Sequence, residues 1–231
     1  MILRVAARGS RLSRIQTREA MEWLQRRAGG FEWVHVVVKT SGDRFQDRPI
    51  HELGVEGAFT REVDRAVLEG RADVAVHSMK DLPSRLHPEL EIIAVPPRMD
   101  PRDSLVPRPG LHGEPRAGMV VGTGSARRRS LLLHYYPGVE VRGLRGNIDT
   151  RLRRLEEGVY DFIVAAEAGL SRIGYTGPRT VLPLDKWPPA PGQGLLAVVA
   201  RRGSRAWSLL HGIVDERAAA EMRAERAFLQ A

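Results

Sequence analysis

A strand, a turn bearing glycine and serine, and a basic helix occur in that order twice along this chain, and the repetition limits the folds open to it. In the first copy Ile2 to Ala7 is apolar apart from Arg4. Arg8-Gly9-Ser10 makes the turn, and Leu12, Ile15, Ala20, Trp23 and Leu24 recur at helical spacing as far as Gly29-Gly30. In the second copy Gly118 to Val121 is the strand and Gly122-Thr123-Gly124-Ser125 the turn. Its helix opens on Arg127, Arg128 and Arg129 and runs through Leu131, Leu132 and Tyr135. A shorter echo agrees: Glu69-Gly70-x-x-Asp73 precedes a strand of the first half and Glu157-Gly158-x-x-Asp161 the matching strand of the second. Strands alternating with helices call for sheets of largely parallel strands covered by helices. The expectation is an α/β chain of two lobes with similar plans, each offering an anion-binding turn to a shared cleft.

The remaining elements fill in that plan. Trp33 to Thr40, Leu90 to Val95, Val139 to Leu144 and Phe162 to Ala166 read as strands, and Ala58 to Glu69 and Asp149 to Glu157 as helices. Ser41 to Glu56 is polar and glycine-rich and reads as a mobile loop. Pro96-Pro97 looks like a hinge, and the proline- and glycine-rich stretch from Leu182 to Gly194 like a second crossing. Leu195 to Ala200 is a strand returning to the first lobe. Two crossings make a double hinge of the kind that lets binding proteins close on a ligand. The expected division is residues 1–96 plus 193–213 for the first lobe and 97–192 for the second. Residues 214–231, an amphipathic helix carrying Ala219, Met222, Ala227 and Phe228, would open a truncated third domain.

Charge narrows the choice of ligand. The formal charge is +8, and Lys39, Lys80 and Lys186 are the only lysines among 36 basic residues. The planar arginine fork suits carboxylate and phosphate, so a polyanion is implied, either nucleic acid or a small poly-carboxylate; nucleotide bias and thermal adaptation are the plainer source of such an excess. The chain has no cysteine, which removes disulfides, thiolate metal sites and cysteine nucleophiles within it. Its seven histidines show no pair at metal-ligand spacing, and no metal is expected. No apolar stretch approaches the ~20 residues that cross a bilayer, and residues 1–7 are too short for a secretory leader. A cytoplasmic monomer that binds no membrane is expected.

The stretch from Ala72 to Pro83 is the chemical focus. Val74-Ala75-Val76 has the pattern of a buried parallel strand. It stops on His77, Ser78, Lys80 and Asp81, and Pro83 closes the segment. In open α/β sheets the carboxyl ends of strands face the ligand crevice, which puts Lys80 and Asp81 where chemistry is done; a solvated turn is the plainer reading. Helix starts after the two glycine–serine turns would attract anions. Ser10 and Ser13 are equally readable as simple helix caps.

The run Val76-His77-Ser78-Met79-Lys80-Asp81-Leu82-Pro83 resembles the signature of the porphobilinogen deaminase (hydroxymethylbilane synthase) family. The resemblance extends to Ala7-Arg8-Gly9-Ser10, Asp100-Pro101-Arg102-Asp103, Gly122-Thr123-Gly124-Ser125-Ala126-Arg127-Arg128 and Leu144-Arg145-Gly146-Asn147-Ile148-Asp149-Thr150-Arg151. It continues through Ala168-Gly169-Leu170-Ser171-Arg172, Gly192-Gln193-Gly194 and Ala224-Glu225-Arg226-Ala227. Each motif alone is unspecific; their order and spacing together are not.

The resemblance implies two lobes like those of periplasmic binding proteins, plus a small third domain. It implies a transferase of tetrapyrrole (haem) biosynthesis that joins four porphobilinogen molecules head to tail on a dipyrromethane primer, releasing ammonia at each step. It further implies that Arg8, Arg127, Arg128, Arg145, Arg151 and Arg172 bind the acetate and propionate groups. Ser10, Ser78, Lys80, Thr123, Ser125, Gly146 and Gln193 complete the cofactor-binding set, and Asp81 is the catalytic carboxylate. Bidentate arginine–carboxylate pairs are the strong way to hold such acids. A carboxylate beside the pyrrole nitrogens stabilises the cation left when ammonia departs.

Two residues depart from the family pattern: Glu56 stands where lysine is usual and Asp149 where glycine often stands. The family also carries its primer on a cysteine shortly after the segment matching Ala224 to Leu229, and this chain has none. A third domain lost by truncation or supplied as a separate polypeptide is therefore expected. A non-catalytic two-lobed poly-carboxylate binder is the competing reading. A nucleic-acid binder is disfavoured, because the basic residues sit at turns and helix starts rather than along one helix or an aromatic platform.

Overall fold

The computed structural model describes residues 1–41 and 59–231. Apart from Ser41, the expected loop from Ser41 to Glu56 lies outside the described residues, Glu56 included. The described chain divides into two compact units, Met1–Met99 with Pro191–Ala231, and Asp100–Ala190. The backbone thus passes from one unit to the other twice.

The first unit is built on six strands: β1 (Ile2–Arg8), β2 (Glu32–Val38), β3 (Val74–Ser78), β4 (Leu90–Val95), β10 (Leu196–Arg201) and β11 (Ile213–Val214), in the order β11-β4-β10-β3-β1-β2. β1 pairs in parallel with β2 and β3, while β10 runs antiparallel between β3 and β4. Both faces of this sheet are covered. Ala20, Met21, Trp23 and Leu24 of α1 (Arg11–Ala28) pack with Val74, Val76, Leu196 and Val198 on one side. Val63, Ala66 and Val67 of α2 (Arg61–Leu68) pack with Ala75, Ala197 and Val199 on the other. Two-sided burial explains why Val74-Ala75-Val76 is a continuous apolar run and not an alternating one. Each valine or leucine so buried contributes about 1.5–3 kcal/mol.

The second unit holds β5 (Asp103–Pro107), β6 (Val120–Gly122), β7 (Glu140–Arg142), β8 (Phe162–Ala166) and β9 (Thr180–Val181), in the order β7-β6-β8-β5-β9. β6 is parallel to β7 and β8, and β5 is antiparallel to β8 and β9. Leu132 of α3 (Ala126–Tyr135) joins Val121, Phe162 and Val164 on one face. Leu155 of α4 (Ile148–Glu156) and Leu170 of α5 (Glu167–Arg172) join Ile163 and Ala165 on the other.

Two further helices complete the first unit, α6 (Arg205–Leu210) and α7 (Glu216–Gln230). The segment 214–231, expected to open a third domain, falls within this unit, where Ala218 is buried in the core beneath Val95 and Leu90. Asp215 caps α7 by accepting the Ala218 N–H at 2.9 Å. Among the described residues no helix is long and apolar enough to cross a membrane.

Candidate functional site

In the first unit the residues singled out by sequence gather at the carboxyl ends of β1 and β3. Parallel pairing of Ala6 with Ala75 carries Arg8 to the same end of the sheet as Ser78. Antiparallel pairing of Leu196 with Ser78 brings the segment entering β10, with Gln193, to that end as well. After Ser78 the chain makes one 3-10 turn, Met79–Asp81. Met79 is buried and its N–H donates to the Leu195 carbonyl at 3.0 Å, which pins the turn to β10. Lys80 and Asp81 are exposed. The Lys80 ammonium donates to Gln193 Oε1 at 3.1 Å, and Gln193 itself is only 1% exposed. The Asp81 carboxylate makes no ion pair among the described residues and faces solvent.

Neighbouring groups set this turn in place. His77 is buried with its ring 2.8 Å from Asp64, tying β3 to α2. Gly192 lies so close to the turn, with φ at +76°, that a Cβ there would stand 2.8 Å from Met79 Cγ and 2.9 Å from the Lys80 backbone nitrogen. Arg8 is half-buried with its guanidinium 4.4 Å from the centre of the Phe59 ring. Ser10 caps α1, its Oγ accepting the Ser13 N–H at 3.3 Å, which is the simpler of the two roles open to it. Beside this turn Gly9, Arg11, Arg14, Ile15 and Arg18 line a shallow, open depression of the surface. Arginines at i, i+3 and i+7 face one way on a helix, and sequence reasoning did not pick out this stripe.

In the second unit the parallel strands β6, β7 and β8 deliver the turns that follow them to one end of the sheet. Ser125 caps α3, accepting the Arg128 N–H at 3.4 Å, and Thr123 Oγ1 accepts the Ser125 N–H at 3.2 Å. After β7 the chain passes through Arg145 and Gly146 into α4, where Asn147 is the cap. Gly146 has φ +101°, and a Cβ there would meet the Thr150 methyl at 2.9 Å. The Arg151 Nε donates to the Gly146 carbonyl at 2.9 Å, so Arg151 braces the loop that carries Arg145. Arg145, Arg151 and Arg172 are all half-buried. Asp149 occupies the first turn of α4, where the helix dipole favours an acid.

Arg127 and Arg128 stand differently from the expectation that they grip ligand acids. Asp103 is completely buried at the start of β5 and takes both. Arg128 donates to Asp103 Oδ1 at 2.6 Å and to the Val164 carbonyl at 3.0 Å. Arg127 reaches Asp103 Oδ2 at 2.7 Å and the Pro188 carbonyl at 2.6 Å, and Trp187 Nε1 adds a bond at 3.1 Å. The physical reason is desolvation: a buried carboxylate needs cations and donors around it. Arg128, itself buried, is a structural partner in this geometry, and Arg127 is held by the same carboxylate. Sequence reasoning gave Asp103 no role. It also missed Glu167, buried and bonded to Ser104 at 2.6 Å and to Arg179 at 2.8 Å.

Burial alone would push the Asp103 carboxyl up, but Arg128 and Arg127 outweigh it and hold the group far below its ordinary value of 3.8. A depressed carboxyl stabilises the fold above its unfolded-state value and loses that contribution as pH falls toward the folded-state one. The unfolding free energy is therefore expected to drop from about pH 4 downward. Denaturant titrations of Asp103→Asn and the parent at several pH values should converge in acid and diverge near neutrality.

Residues 3–208 match the family described as "Porphobilinogen deaminase, dipyromethane cofactor binding domain". The chain belongs to this family. Relatives named "Probable porphobilinogen deaminase" include that of Aeropyrum pernix, 52% identical over 217 residues, covering 92% of this chain and 71% of the relative. Those of Hyperthermus butylicus and Pyrobaculum calidifontis are 48% and 47% identical, each over 99% of this chain and 77% and 79% of the relative. Among solved structures, the Bordetella pertussis BvgS VFT2 domain matches with a TM-score of 0.52 at 18% identity, over 96% of this chain and 92% of that one. A Bacillus subtilis amino-acid ABC transporter extracellular-binding protein matches with a TM-score of 0.53 at 10% identity, over 100% and 96%. At such identities these two speak for the fold alone, which is that of two-lobed substrate-binding domains.

Proposed function

We propose that this chain is a hydroxymethylbilane synthase, joining four porphobilinogen molecules head to tail with loss of one ammonia per molecule joined. The observation that carries the reading is the exposed Lys80–Asp81 turn at the carboxyl end of β3 in a chain of the porphobilinogen deaminase family. Asp81 accepts hydrogen bonds from the pyrrole nitrogens and stabilises the cation left on the substrate when ammonia departs. At ~4 Å and an effective dielectric of ~20, such a pair is worth about 4 kcal/mol before desolvation. Lys80, Arg8, Arg145, Arg151 and Arg172 neutralise the acetate and propionate groups. Thr123 and Gly146 shape the turns that present these side chains, while Ser10, Ser125, Arg127 and Arg128 hold the fold around them.

Dipyrromethane, when bound, supplies the primer on which the pyrrole chain grows. The donor set fits it, since half-buried guanidiniums and an exposed ammonium suit a poly-carboxylate. Arg145, Arg151 and Arg172 of the second unit would hold its acids. These 231 residues contain no cysteine, so a thioether to it would be made by a residue outside them. That same fact favours a second reading, a non-catalytic poly-carboxylate binder. We take the chain to act as a monomer in the cytoplasm. Incubation with porphobilinogen, with and without a cysteine-bearing third domain, separates the two readings. Ammonia released in step with porphobilinogen consumed is the expected result; binding without ammonia release in both arms would leave only the binder.

A further inference from the structure

The motif Ala224-Glu225-Arg226-Ala227 finds no place in the chemistry above, yet two of its side chains reach toward the Lys80–Asp81 turn from behind. Glu225 receives Arg98, whose Nη2 lies 3.2 Å from Oε2, and it also accepts the Gly192 N–H. Arg98 in turn donates from Nε to the Gln193 carbonyl at 2.9 Å, and Glu221 takes a second bond from Arg98 at 2.8 Å. The segment Gly192–Gln193 is thus held from two sides, and Gln193 is the residue that takes the Lys80 ammonium. Arg226 works at the other end of the turn. Its Nη2 donates to the carbonyls of Pro83 at 3.1 Å and Ser84 at 2.7 Å, just beyond Asp81-Leu82. Each group belongs to the first unit.

From this arrangement we infer that Glu225 and Arg226 of α7 are positioning residues for the Lys80–Asp81 turn. Glu225 fixes Lys80 through Gly192 and Gln193, and Arg226 fixes the chain leaving Asp81. Neither touches substrate; both set where the ammonium and the carboxylate stand. The inference rests on the function proposed above only for its kinetic consequence. The geometric one stands without it.

The chain's three lysines make the test direct, because reductive ¹³C-methylation gives one NMR signal each for Lys39, Lys80 and Lys186. Glu225→Ala and Gln193→Ala are both expected to shift and sharpen the Lys80 signal and leave the other two in place. Glu225→Gln, which keeps an acceptor for Gly192, should restore much of it. In turnover, Glu225→Ala and Arg226→Ala should lower kcat by about 10- to 100-fold with a smaller change in KM, and Arg226→Lys should recover part of the loss. A Glu225→Ala protein that melts cooperatively yet shows an unmoved Lys80 signal overturns the inference. If Glu225→Ala does not fold, Glu225→Gln decides it, since it keeps an acceptor for Gly192 but loses the charge that holds Arg98: an unmoved Lys80 signal refutes the inference, and a shift smaller than that of Gln193→Ala upholds it. A parent protein with no turnover even beside a cysteine-bearing third domain would sink the function while leaving the NMR result to be read alone.

Discussion

Asp81→Ala is expected to lower porphobilinogen turnover by about 10²–10⁴-fold, the range seen when a positioned acid–base or charge-stabilising group is removed. The fold should be indifferent to the change. Asp81 is exposed and makes no ion pair among the described residues, so its loss falls in the class of surface substitutions worth within about 0.5 kcal/mol. For a chain of this size that is a shift of no more than about 2 °C in Tm. Turnover by ammonia release and Tm by calorimetry, on the same preparation, check both halves. Loss of the two together would make Asp81 a structural residue. Near-parental turnover would remove it from the chemistry.

Asp103→Ala should do the reverse, damaging the fold first. It strands the buried Arg128 guanidinium and deprives Arg127 and Trp187 of their acceptor. Breaking a buried pair by removing one partner costs about 3–5 kcal/mol, or about 10 °C in Tm here. Equilibrium denaturation of the variant measures it. A double replacement, Asp103→Leu with Arg128→Met, should cost less than Asp103→Ala alone, because the buried Arg128 charge is then removed along with its counter-charge. A loss under about 1 kcal/mol for Asp103→Ala would mean that water reaches this site, contrary to its complete burial.

The contrast between these two aspartates shows what the sequence could and could not disclose. Val74-Ala75-Val76 and Phe162 to Ala166 were legible because two-sided burial leaves an unbroken apolar run. The turns after β1 and β6 were legible because glycine and serine mark the start of a capped helix. Strand β5 left no such mark: it opens on Asp103 and Ser104 and closes on Pro107. Its carboxylate is buried because partners 24, 25 and 84 residues away in sequence converge on it, and nothing local announces that. The two-residue strands β9 and β11 are too short to carry a period.

Within the candidate site, the carboxyl-end position of Lys80 and Asp81 was readable from the apolar run of β3, while the pairings that bring Arg8 and Gln193 to the same end of the sheet were not. The partners of Arg127 and Arg128 were not, because a basic triplet at a helix start looks the same whether it faces a ligand or a buried acid. Arg98 and its acceptors Glu221 and Glu225 lie more than 120 residues apart, and only the i, i+4 spacing of the two acids hinted that α7 awaits a cation.

At the centre of the account is a division of labour: guanidiniums bind the acidic substrate, and one aspartate serves its conversion. Equilibrium dialysis of porphobilinogen tests this most directly, against Asp81→Ala and against the same protein carrying Arg145→Ala and Arg151→Ala. The account expects Asp81→Ala to bind porphobilinogen. Removing the two arginines should then weaken binding by about 10²–10⁴-fold, given about 1.5–3 kcal/mol for each charged hydrogen bond lost. Binding that vanishes in Asp81→Ala, or that ignores the loss of both arginines, would contradict it.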